Sequence, residues 1–119
     1  NWPISRDVTV WYKEYLTRSS IIESRFYNAS GFGHLHILAD SQVAPDLAKI
    51  TVRIMACLWA PDGIHPVGRP VEVCSFDLTI KSPHQVITIP VPSEIFYFMA
   101  ITDAISDGYI YLSFYLTWA

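Results

Sequence analysis

The stretch Lys49-Ile50-Thr51-Val52-Arg53-Ile54-Met55-Ala56-Cys57-Leu58-Trp59-Ala60 decides the fold class. Ile50, Val52, Ile54, Ala56, Leu58 and Ala60 fall on one side of it. Lys49, Thr51, Arg53, Met55, Cys57 and Trp59 fall on the other. A period of two sends alternate side chains to opposite faces of a strand, whereas a helix would scatter both sets around its circumference. The stretch therefore reads as a long strand with one face in a core, paired on both sides.

The same period continues outward in both directions. Before it, Gly33 to Ala39 sets Leu35, Ile37 and Ala39 against His34, His36 and Leu38. Val8 to Thr17 sets Val8, Val10, Tyr12 and Leu16 against Thr9, Trp11, Lys13 and Tyr15. After it, Phe76 to Ile80 and Val86 to Val91 read as short strands. Ile95 to Ile101 is almost wholly apolar, as expected of a strand covered on both faces. Tyr109 to Trp118 alternates again, with Ile110, Leu112, Phe114, Leu116 and Trp118 opposite Tyr109, Tyr111, Ser113, Tyr115 and Thr117. Turn chemistry separates these runs at Ala44-Pro45-Asp46, Ala60-Pro61-Asp62-Gly63, Ser82-Pro83 and Ser106-Asp107-Gly108. Ser19 to Ser30 reads as a polar loop. Only Val43 to Lys49 and Pro92 to Ala100 have room for a helical turn. Seven strands and no amphipathic helix predict an all-β sandwich or barrel.

Composition narrows the class further. The chain has 119 residues, of which 51% are hydrophobic and 16% charged. That is too apolar for disorder, and it falls below the roughly 25% charge of an ordinary soluble protein. The deficit points to an outer surface that is covered by a partner or by more of the same chain. Net charge is −3 and no basic run occurs, which argues against tight capture of nucleic acid by this segment. No apolar window is long enough for a membrane-spanning helix. The opening Asn-Trp-Pro suggests a cleavage product or part of a longer polypeptide. Cys57 and Cys74 are expected as free thiols. Asn28-Ala29-Ser30 fits the glycosylation pattern but is expected to be unmodified.

Few residues suggest catalysis. His34 and His36 share a strand face, and Asp40 lies further along that face, so the three can in principle meet one metal. His-x-His followed by a carboxylate resembles the first metal motif of cupins, and Pro61 to His65 weakly resembles the second. The plainer reading, two half-exposed strand histidines, outweighs it. No nucleophile motif, phosphate loop or acid–base pair is present. The Tyr109, Tyr111 and Tyr115 face reads either as a stacking platform for bases or sugars or as an interface. Without interleaved Lys or Arg the interface reading is the stronger. Trp11 and Trp59 join it as interface candidates.

The run from Gly31 to Pro66 carries a family resemblance. It reads Gly31-Phe32-Gly33-His34-Leu35-His36-Ile37-Leu38, then Val43-Ala44-Pro45-Asp46, then the long strand, then Trp59-Ala60-Pro61-Asp62-Gly63-Ile64-His65-Pro66. In order and approximate spacing it resembles the coat proteins of picornavirus-like plant viruses, the secovirids, and the nepovirus type most closely. The resemblance implies a viral jelly-roll β-sandwich without catalysis or cofactor. It implies a structural coat protein that self-assembles with other copies and other coat domains into an icosahedral shell. The shell would enclose positive-strand RNA without specific contact by this segment, in a virion assembled in the host cytoplasm and without a membrane. It also implies that residues 1–62 close one jelly roll and residues 63–119 open the next. The other arrangement is a single incomplete roll over 1–119, since seven strands fall short of eight. The alternative function is a cupin-like metal-binding enzyme using His34 and His36. A carbohydrate-binding module using the tyrosine face is a third.

Overall fold

The structure, a computed structural model, describes residues 6–59 and 66–118 except for the side chains of Trp59 and Pro66. All regular structure in these residues is β-strand: β1 Val8–Leu16, β2 Ile21–Glu23, β3 Tyr27–Asn28, β4 His34–Ala44, β5 Lys49–Trp59, β6 Pro66–Thr79, β7 His84–Pro90, β8 Ile95–Thr102 and β9 Asp107–Thr117. They form two antiparallel sheets. Sheet A runs β1-β9-β4-β7 and sheet B runs β2-β8-β5-β6, with β3 also on β8. The pairs nest. β5 pairs β6, β4 pairs β7, β2 pairs β8 and β1 pairs β9. The chain is thus one long hairpin rolled over, and the rolling adds the β4·β9 and β5·β8 pairs.

The alternation seen in the sequence becomes the core. Leu35, Ile37 and Ala39 of β4 and Ile110, Leu112, Phe114 and Leu116 of β9 point inward from sheet A. Ile50, Val52 and Ile54 of β5 and Phe96, Phe98 and Ala100 of β8 meet them from sheet B. Phe114 lies between the sheets, its ring 5.3 Å from Phe96, 5.7 Å from Phe98 and 4.8 Å from Tyr27. Aromatic side chains of this size dominate core energetics. As the sequence predicts, β5 is paired on both sides, and Ile95 to Ile101 is covered on both faces along most of its length.

Several expectations are corrected. The described strands number nine. The supposed loop from Ser19 to Ser30 holds β2 and β3, which form by pairing with the edge of β8. The strand expected at Phe76 to Ile80 begins at Pro66. It is an edge strand, where proline is tolerated. Neither Val43 to Lys49 nor Pro92 to Ala100 is helical. The division at residue 62 falls outside the described residues, yet strands from its two sides are interleaved. β9 lies between β1 and β4, and β8 pairs with β2 and β5. The chain therefore does not split there into two sets of strands, each paired only within itself. β4 and β5 are inner strands of sheet A and sheet B.

The phase of β1 is also corrected. Its register shifts between Thr9 and Trp11 and again between Trp11 and Glu14, and Lys13 has φ 50°. Such bulges turn a strand about its axis. Trp11 consequently sits in the core at 7% exposure, and Tyr12 takes the outer face at 78%.

Cys57 and Cys74 are free. Cys57 belongs to a small outer cluster with Ile95 and Tyr97, whereas Cys74 packs against the main core. Burial pushes both thiols up, with Glu72 adding to the effect at Cys74, and burial likewise raises Tyr97. In the unfolded chain these groups ionise at their ordinary values. Above about pH 9 the unfolded state therefore holds fewer protons than the folded state, and stability falls as pH rises. Denaturant midpoints measured from neutral pH upward should decline beyond that point, and a level profile would contradict the burial of these groups.

Candidate interaction surface

The outer face of sheet A gathers most of the candidate residues. Its rows follow from the strand register. Tyr115, His36 and Thr88 form one row, Ser113, Leu38 and Val86 the next, and Tyr111, Asp40 and His84 a third. Tyr109 and Tyr15 pair at the end of β1.

The tyrosines are held in cross-strand pairs. Tyr111 meets Tyr12 edge-on with ring centroids 5.5 Å apart, and Tyr109 meets Tyr15 at 5.1 Å. Lys13 lies 5.5 Å over the Tyr109 ring, a cation–π contact. Tyr15 donates its hydroxyl to Asp107 at 2.8 Å, and that hydrogen bond is the main reason its hydroxyl pKa is raised. Tyr115 stacks on His36, 4.5 Å away and 11° from parallel. Tyr109, Tyr111 and Tyr115 thus form a stiff, half-buried aromatic layer. Of the other two interface candidates, Trp11 is in the core and cannot present its ring, and the Trp59 side chain lies outside the described residues.

Among the described residues the histidines do not form a ligand set. His34 and His36 share the face, with ring centroids 6.4 Å apart. Both nitrogens of His36 are engaged, Nδ1 with the Thr88 hydroxyl at 2.9 Å and Nε2 with the Thr117 hydroxyl at 2.8 Å. Asp40 pairs with His84 Nδ1 at 2.9 Å and accepts from the Ser41 amide at 2.7 Å. Among the described residues no three His, Cys, Asp or Glu side chains converge for a metal. The second cupin-like segment, Pro61 to His65, lies outside them. Titration with Zn²⁺ should therefore give no stoichiometric uptake at this face. A one-to-one zinc complex lost in His36→Ala would restore the metal reading.

A depression of about 500 Å³ opens across the same face. Ser113 is short beside Tyr111, so the surface dips there. Leu38 and Ser113 lie in it, Thr9, Tyr12 and Tyr111 line one side, and Val86 and the Asp40–His84 pair the other. The lining is mostly apolar, and Val86 is 77% exposed. Sequence reading missed Tyr12 because of the β1 bulge. It missed Val86 because the neighbours of an edge strand are set only by topology. A second depression, about 410 Å³, opens on sheet B beside Phe26, Cys57, Gly68 and Tyr97. The Cys57 thiol there is held protonated by burial and is a poor nucleophile.

No family model matches the chain, and no curated protein matches it. No helix among the described residues is long and apolar enough to cross a membrane.

Proposed function

We propose that this chain is a structural coat protein of a small icosahedral positive-strand RNA virus, with a jelly-roll sandwich that assembles by contact between copies. The observation that carries this reading is the strand order. Nested pairs rolled into β1-β9-β4-β7 facing β2-β8-β5-β6 support a jelly-roll reading, an architecture used by viral capsid domains, lectins and cupins.

Within that architecture the surface favours assembly over catalysis. The cupin alternative needs imidazole nitrogens free for a metal, and both nitrogens of His36 are bound to threonine hydroxyls. An aromatic layer beside an apolar depression is the chemistry of a protein interface, where tyrosine is enriched and charge depleted. Many copies of a modest contact give a stable shell by multivalency. On this reading Tyr109, Tyr111 and Tyr115 face other copies or other coat domains. The RNA is enclosed rather than specifically bound by this segment, consistent with its net charge of −3, and assembly takes place in the host cytoplasm without a membrane. Sedimentation of the full polypeptide that carries this chain tests the reading. The expected result is a fast, homogeneous particle, and a monomer at all concentrations and salt conditions would contradict it.

A further inference from the structure

We infer that β7 pairs antiparallel with β7 of a second copy, across a two-fold axis at Val86, so that sheet A continues from one copy into the next. The inference rests on the self-assembly reading and specifies one of its contacts.

Among the described residues sheet A ends at β1 and β7, and sheet B at β2 and β6. An open edge is a template for another strand, and proteins blunt it with bulges, charges, proline or brevity. Three of these edges are blunted. β1 shifts register twice and carries Lys13 and Glu14. β2 spans three residues. β6 shifts register twice against β5 and holds Gly68 and Pro70 in its first half. β7 has none of these devices before Pro90. Its register with β4 is unbroken from His84 to Pro90, and Gln85 to Pro90 holds no ionisable side chain.

Pro90 fixes the bonding phase of β7. It lies opposite His34 and has no N–H, so that pair exchanges no bonds. The next residue, Val91, donates its amide to the Gly33 carbonyl at 2.9 Å. Alternate residues of an antiparallel strand bond to opposite sides. Ile89, Ile87 and Gln85 therefore bond to β4, and the amides and carbonyls of Thr88, Val86 and His84 point away from it. Among the described residues no strand takes them. The window ends there in both directions. Pro90 has no amide to offer, and Ser82 is bonded to Thr79 through both its amide and its carbonyl.

One antiparallel register satisfies the whole window. It sets Val86 against Val86 of the second copy, and His84 against Thr88 in both directions, each pair exchanging both its bonds. The window is its own complement, which selects a second copy as the occupant. A two-fold axis also brings a side chain against its own twin, where a charge would repel. β7 places an uncharged valine there. Val86 is 77% exposed, and the pairing lays the two valines side by side. Such a contact is isologous, the same strand serving both copies.

The test uses variants of the full polypeptide. Facing residues of a bonded antiparallel pair lie about 5.5 Å apart at Cα, within reach of a disulfide. Val86→Cys should therefore give a covalent pair of twice the mass under mild oxidation. Val71→Cys, 62% exposed on the blunted β6, should stay a single copy over the same time. Val86→Pro removes the outward amide at the axis and no bond to β4, and Val86→Lys puts like charges there. Both should unfold thermally like the parent yet lose pairing in light scattering. Val86→Cys linking no faster than Val71→Cys, or Val86→Lys pairing like the parent, would overturn the contact. So would a parent that stays single while a different protein protects the Val86 and Thr88 amides from exchange. A parent that builds shells while Val86→Cys stays unlinked removes this contact and leaves the coat reading standing. A parent that pairs through Val86 and grows no further keeps the contact and removes the coat reading.

Discussion

Gly108→Ala should destabilise the fold by at least about 3 kcal/mol. Gly108 lies between two strands, opposite Val43 on β4 and Leu16 on β1. A Cβ built on it would meet the Gln42 carbonyl oxygen at 2.1 Å and the Val43 Cα at 2.8 Å. Both atoms are backbone, so no rotamer change relieves the clash. Its φ of +155° lies in a range that side-chain-bearing residues rarely adopt. The ladder joining β4 to β9 would have to open at that end, and with it the middle of sheet A. Chemical denaturation should give a sharply lower midpoint. A midpoint within about 0.5 kcal/mol of the parent, the range of an ordinary surface change, would contradict the register.

Phe114→Ala should cost about 3–5 kcal/mol, the usual range for deleting a buried phenyl ring. Phe114 is fully buried and touches Tyr27, Phe96 and Phe98, so one side chain ties β9 of sheet A to β3 and β8 of sheet B. Its removal leaves a cavity walled by rigid rings that collapse poorly. Tyr12→Ala is the contrast. That ring is mostly exposed and has one edge-on partner, Tyr111, so its loss should cost below about 1 kcal/mol. Similar losses at the two positions would mean that the phase of β1 or β9 is wrong.

Legibility in the sequence followed the regularity of the strands. β4 and β9 carry an unbroken period of two through the core, and their inward faces read directly as the faces that pack, whereas β5 keeps that period only from Ile50 to Ile54 and Leu58, read as inward, is 71% exposed. Three features were not legible, each for a physical reason. β2 and β3 span three and two residues, too few to show a period, and they exist because β8 offers an edge. β1 keeps its strand character but loses its phase at two register shifts, which exchanges Trp11 and Tyr12 between core and surface. β6 has two register shifts against β5 and carries Gly68 and Pro70 near its start, so its first half lacks a clean alternation.

The candidate surface was half legible. The tyrosine row and the paired histidines stand in single strands, so spacing alone placed them on common faces. What those faces do depends on neighbours from distant segments. The hydroxyls that occupy His36 come from Thr88 and Thr117, and the walls of the depression come from four strands. Spacing within one strand carries no information about such partners. The exposure of Leu47, 85% on the turn between β4 and β5, had no signal either, since an isolated leucine beside a proline turn reads equally well as buried.

The most direct test of the coat-protein reading is electron microscopy of particles from source material that contain this chain, located by peptide mass spectrometry across a sedimentation gradient. The account predicts that the peptides peak with closed shells of uniform diameter holding nuclease-protected RNA. Peptides confined to the slow fractions, with no shells where they peak, would contradict it.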